Sequence, residues 1–233
     1  MAYHHHSIMK RDFETKFTGW ALITAALFLL IGWVMLPHHI GEYLVVEDFA
    51  AVKENFWTWV WLYRMHIFGW VIMGIGLMGF GSITFKKPYR TLLMPGIGVI
   101  VIGTFVSALA TAYYYSYGAW GIGQTDGRSA DEIQTFMDGI LYTNHYVTCM
   151  VRFGRVFSGA GLALMGLGLL KWNITDKWLG FFTVLLGLAA MGIVMLIPVN
   201  HEVYKPVFYV KVLWLLSLGV TILRKGLNLP EEA

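Results

Sequence analysis

The sequence predicts an all-α integral membrane protein, a bundle of about six transmembrane helices with both termini cytoplasmic. Three observations carry that expectation. Of 233 residues, 57% are hydrophobic and only 13% charged, where a soluble domain carries roughly 25% charged residues. Apolar stretches long enough to cross a bilayer recur along the chain. The loops between them alternate in charge.

Spanning takes about 20 mostly apolar residues. Six stretches qualify: Phe17–Leu36, His66–Phe85, Leu92–Tyr115, Phe153–Leu170, Trp178–Val199 and Val207–Leu223. Pro37, Pro88 and Pro206 punctuate their ends, and Pro95 falls in a first helical turn, where its missing N–H is not needed. The first stretch is too long for a signal-peptide core and lacks a small-residue cleavage site after it, so it reads as a retained helix.

Lys10, Arg11 and Lys16 precede the first span; Lys86, Lys87 and Arg90 separate the second from the third; Lys171 and Lys177 separate the fourth from the fifth; Arg224 and Lys225 follow the sixth. The other loops hold Glu42, Glu47, Asp48 and Glu54, then Asp126, Asp131, Glu132 and Asp138, then Glu202. Every second loop is basic, as the positive-inside rule requires. The expected location is a bacterial or archaeal inner membrane, with N- and C-termini inside.

Two outer loops are long enough to carry extra amphipathic helices, over 47–64 and 130–150. The first places Phe49, Val52, Phe56, Trp59, Val60 and Tyr63 near a 3.6-residue period. The second opens Ser129-Ala-Asp-Glu, a capping-box spacing, and its pattern can run on through Ile140 and His145 into the fourth span. Such helices ordinarily lie in the headgroup plane, or form a platform for a site or partner.

Gly69-Trp-Val-Ile-Met-Gly-Ile-Gly-Leu-Met in the second span matches Gly161-Leu-Ala-Leu-Met-Gly-Leu-Gly-Leu-Leu in the fourth. A repeat two spans apart places its units parallel in the membrane; the abundance of Gly, Leu and Met offers chance as the alternative. Gly103, Ser107 and Thr111 on the third span, and Gly154 with Ser158 and Gly159 with Ala163 on the fourth, are spaced for close helix approach.

The charge pattern also marks one face. Apart from His4, His5 and His6, every histidine falls on the outer side: His38, His39, His66, His145 and His201. Neutral imidazole suits Zn, Cu and Fe. His38, His39, His145, Cys149 and His201 are therefore candidate metal ligands, with His145 and Cys149 four apart on one helix face and Met150 beside them. His66 and His145 are candidate axial ligands of a haem b. Against that pairing, His145 precedes the fourth span by roughly 12 Å of helix. Arg64, Arg152 and Arg155 could clamp haem propionates, a quinone carbonyl or an anionic substrate, or else reach headgroups or pair structurally. Lys211, about a turn inside the sixth span, poses the same choice.

Three fragments, Arg64-Met-His-Ile-Phe-Gly-Trp, Arg155-Val-Phe-Ser-Gly-Ala-Gly and Lys205-Pro-Val-Phe-Tyr-Val-Lys-Val-Leu-Trp, resemble small copper-resistance membrane proteins and cytochrome-b-like bundles. Members of those families often open a helix with His, follow it with a Gly-rich helix and close with a helix carrying Lys. The resemblance covers a minor part of the chain; the cofactor expectation, haem b or copper, rests on the outer histidines with Cys149 and Met150.

One cysteine excludes an internal disulfide and any CxxC site. No basic patch with interleaved aromatics in a polar setting points to nucleic acid. No H-E-x-x-H, nucleophile elbow or phosphate loop is present, so catalysis by this chain alone is not expected. The expected partners are the lipid bilayer and other membrane-protein subunits. The leading functional expectation is a subunit of a redox or respiratory-type membrane complex, holding a haem or metal or shaping a quinone or lipid pocket near the outer face. The alternatives are an accessory subunit without cofactor, and a small transporter or channel.

Overall fold

A computed structural model of the chain describes residues 2–35, 48–85, 90–197, 201–225 and 227; the side chains of 2–12, 48, 201, 202 and 225 lie outside the description. All regular structure among these residues is helical. In order come α1 (Ala2–Val34), α2 (Asp48–Glu54), α3 (Phe56–Ile83), α4 (Arg90–Tyr114), a π-helical segment (Tyr115–Gly121), α5 (Ala130–Trp172), α6 (Lys177–Leu196) and α7 (His201–Lys225).

Six of these helices are long and apolar enough to cross a membrane. Each packs on the next in sequence, and α7 packs back on α1, so the six close into a ring. Burial follows from the ring. On α3, His66, Gly69, Met73, Leu77 and Phe80 face inward, while Phe68, Val71, Ile75 and Met78 face outward. Phe105 is 63% exposed, and Leu109 on the same helix, Leu27 of α1, Leu188 of α6 and Leu213 of α7 are exposed as well. So continuous an apolar exterior fits lipid and not water.

The expected separate helix over 47–64 is divided. Asn55 stands between α2 and α3 in a non-helical conformation, and its side-chain amide donates to the Ala51 carbonyl at 3.4 Å. Asn competes for backbone partners in this way, which favours a break. Beyond it, 56–64 is the first part of the spanning helix α3. The segment 130–150 is likewise the opening of one helix, α5, capped as its spacing predicts. Ser129 Oγ accepts from the Glu132 N–H at 3.3 Å, and the Glu132 carboxylate accepts from the Ser129 N–H at 2.8 Å. At 1.5 Å per residue its 43 residues reach roughly 64 Å, about twice a bilayer core.

Small residues set the closest seams. A Cβ placed on Gly103 of α4 would lie 2.7 Å from the Gly154 carbonyl of α5, and one on Gly159 of α5 would lie 2.8 Å from the Gly187 carbonyl of α6. These backbones approach as the small-residue spacing on α4 and α5 anticipates.

The sequence repeat has a structural counterpart. On α3, Gly76 packs against Leu22 of α1 and Gly69 against Leu29, two turns further along α1. On α5, the matched Gly168 packs against Leu93 of α4, and the matched Gly161 against Ile100, again two turns further. Met73 and Met165, also matched, are both fully buried. The pair α1–α3 and the pair α4–α5 are thus built on one pattern.

A candidate site between the helix ends

The ring has two ends. The described end of α1, the start of α3 and the start of α7 share the end opposite the first residues of α1. Close to that end, the inward faces of α1, α3, α5 and α7 bring polar and aromatic side chains together. His66 is 8% exposed, and its Nε2 has no hydrogen-bond partner among the described residues. A Cβ on Gly32 of α1 would meet its Cδ2, Nε2 and Cε1 at 2.9, 2.9 and 3.1 Å. Nearly equal distances to three ring atoms place α1 over the face of the imidazole, not in line with a nitrogen.

Around His66 stand Trp33 of α1 and Phe208 of α7, edge-on with ring centroids at 6.2 and 6.4 Å, and those two are 4.5 Å from each other. Trp70, one turn further along α3, meets Phe208 edge-on at 6.0 Å. The Lys211 ammonium lies 5.0 Å from the Trp70 ring centroid. Lys211 is 5% exposed, and no acidic side chain among the described residues pairs with it. Arg155 of α5 lies over the Tyr204 ring at 4.3 Å and is near enough to Lys211 to act on it electrostatically. Tyr204, Phe208 and Lys211 are spaced i, i+4, i+7 and so occupy one face of α7.

The other candidates stand elsewhere. Arg64 donates from Nε and Nη2 to the Tyr115 hydroxyl at 3.1 and 3.0 Å, and it covers the Trp61 ring at 5.0 Å. That ties α3 to the π segment, where Trp120 packs edge-on against Phe56 at 5.2 Å. Nearby, Lys53 of α2 pairs with Asp126 at 3.0 Å. His145 and Cys149 are both exposed on α5, the latter as a free thiol. Arg152 is half-buried on the same helix. The structure therefore gathers His66 and Arg155 around α7, while His145 points outward on α5. His38 and His39 lie outside the described residues, as does the His201 side chain. Among the described residues, no three His, Cys, Asp or Glu side chains come together as a metal site.

Sequence reasoning singled out His66, Arg155 and Lys211 but missed Trp33, Trp70, Tyr204 and Phe208. The i, i+4, i+7 spacing on α7 was the available signal.

No protein-family model matches the chain, and no curated protein or solved structure is detectably similar to it.

Proposed function

We propose that the chain is an integral membrane subunit of a larger redox-type membrane complex, to which it contributes the aromatic, cationic cluster where α1, α3, α5 and α7 meet. The observation that carries this reading is His66, buried, with no hydrogen-bond partner for its Nε2 among the described residues, in one cluster with Phe208, Trp70 and the buried Lys211. Ionisable groups at membrane depth are costly and are ordinarily kept for function. Haem b or copper ligation draws less support, because His66 is buried while His145 and Cys149 are exposed on α5, and among the described residues no three His, Cys, Asp or Glu side chains come together.

Membership of a complex draws on α5. Tyr142, Tyr146, Cys149, Phe153 and Phe157 form one exposed stripe at helical spacing along it. The stripe runs from the protruding half of the helix towards the half that packs in the ring, so lipid alone would not cover it. The basic loops support an orientation with both termini on the cytoplasmic side and the His66 cluster near the outer face.

The test is gentle purification of the tagged chain from its native membrane. Co-purification of subunits carrying haem, flavin or iron–sulfur absorbance is the expected result. A chain that elutes alone and monodisperse under the mildest detergents would overturn the reading.

A further inference from the structure

The exposed stripe of α5 supports a more specific assignment, which rests on the complex reading above and names what covers the stripe. On the protruding half of the helix, Gly139, Tyr142, Tyr146, Cys149 and Phe153 follow one another at intervals of three, four, three and four residues. That alternation is the spacing of a seam between two helices. All five residues are exposed, Tyr142 at 84% and Tyr146 at 66%. Other faces of the same segment are already occupied. Phe136 packs edge-on against Phe49 of α2 at 6.4 Å, and the Thr148 hydroxyl shares a hydrogen bond with that of Tyr114 at 3.1 Å. The seam is thus a further face, left over once the ring and its outer segments have closed.

Three arguments identify the occupant as a second copy of this chain. The first is orientation. The bilayer holds every copy the same way up, so two copies meet α5 to α5 in parallel about an axis along the membrane normal, and identical residues face each other. The second is charge. None of the five seam residues is charged, so the seam tolerates its own kind. The ionisable side chains Asp138, His145 and Arg152 fall in a column, seven residues apart, at the edge of the seam. In a parallel pair such edge positions face residues five further on in the second helix. Those are Thr143, Met150 and Phe157 of the second copy, so no charge meets its like. Glu132, one heptad before Gly139, would meet its own kind, but its carboxylate is turned onto Ser129 and Arg128.

The third argument is area. Tyr142, Tyr146, Phe153 and Phe157 together expose roughly 500 Å² of ring surface per copy, taking about 200 Å² for a whole ring. Pairing two copies buries about 1,000 Å², the size at which a specific protein interface begins.

We infer that α5 pairs with α5 of a second copy through this seam, in parallel and in register, making the chain a two-fold dimer in the membrane. The seam begins among the aromatic residues of the protruding half and continues into the bilayer through Phe153 and Phe157.

The experiment uses the full chain in its own membrane, with one cysteine per chain. Wild type carries Cys149, and three variants combine C149S with Y146C, F153C or L141C. Leu141 is 49% exposed but lies about 100° around α5 from Tyr142. Oxidation with copper phenanthroline is followed by non-reducing electrophoresis and by mass spectrometry of the adducts. Disulfide-linked homodimers are expected from Cys149, Y146C and F153C, at yields that hold when expression is lowered severalfold. L141C cross-links severalfold less. The double variant Y142S/Y146S removes two exposed rings, so the fold is kept and the Cys149 cross-link falls severalfold.

Absence of homodimers at all three seam positions would overturn the inference. So would equal yields at Leu141 and the seam, or adducts of the seam cysteines with a different polypeptide in place of a second copy. If redox subunits co-purify but the seam cysteines form no homodimer, this inference fails and the complex reading stands. If homodimers form from a chain that purifies without redox partners, the reverse holds.

Discussion

The imidazole of His66 lies with its face against Gly32, so closely that a methyl group on that glycine would meet Nε2 at 2.9 Å. Two helices, α1 and α3, are thereby brought together over a polar ring. The same geometry recurs at Gly103 and Ser158 between α4 and α5.

Gly32→Ala is expected to destabilise the protein by about 1–3 kcal/mol, the usual cost of overpacking a filled seam. Combining it with His66→Ser should restore most of that loss, because the added methyl would then occupy space the ring has left. Thermal unfolding of the two single variants and the double variant in detergent measures the coupling. Additive losses would show that the ring and the glycine do not share this space.

Gly103→Ala should cost more than Gly32→Ala. The added methyl would meet backbone atoms, the Gly154 carbonyl at 2.7 Å and the Ser158 nitrogen at 2.8 Å, which can give only if a helix moves. Gly98→Ala is the control, since nothing stands within 4 Å of its Cβ position. It should be neutral or slightly stabilising, by up to about 1 kcal/mol of helix propensity.

Tyr115→Phe removes the hydroxyl that accepts two bonds from Arg64. A loss of about 1 kcal/mol is expected, with faster amide exchange across Tyr115–Gly121 than in α4. If Arg64→Gln and Tyr115→Phe gave independent, additive effects, Arg64 would not be the anchor of the π segment.

Cys149 provides a probe of the α5 stripe. Its thiol is exposed in the isolated chain, so a membrane-permeant maleimide should label it readily. Labelling should fall several-fold in the native complex if a neighbouring subunit covers Tyr146, Cys149 and Phe153. Equal labelling rates in both preparations would leave the stripe without a protein cover.

Much of the fold was legible because membrane helices are written in composition and length. The six apolar runs, the Ser129 cap and the close-packing glycines of α4 and α5 all rest on local rules. The division at Asn55 was harder to read. Phe49, Val52, Phe56 and Trp59 keep helical spacing across it, and periodicity does not register a single residue that turns its amide back on the chain. The π segment was hidden for a related reason: the third apolar run ends at Tyr115, and nothing local marks the Tyr115 hydroxyl as the acceptor for Arg64, distant in sequence.

The site was legible in part. His66 stood out as an ionisable residue in an apolar helix, and Arg155 and Lys211 as charges near span ends. Their grouping depends on which helices become neighbours, and α7 closing onto α1 is a tertiary fact that no local pattern records. The pairing of His66 with His145 followed from their shared side of the membrane. The structure instead turns His145 outward on α5 and surrounds His66 with Gly32, Trp33 and Phe208.

The central claim is that His66 is present for a ligand and not for packing. The most direct measurement, once the proposed complex is in hand, is its redox activity with His66→Ser in this chain, taken together with its assembly and thermal stability. The account predicts a complex assembled to the wild-type level, with a melting temperature within a few degrees of wild type and activity reduced at least about tenfold. A variant complex that assembles and works as well as wild type would contradict it, as would one that fails to assemble although Ser158 sustains the equivalent seam.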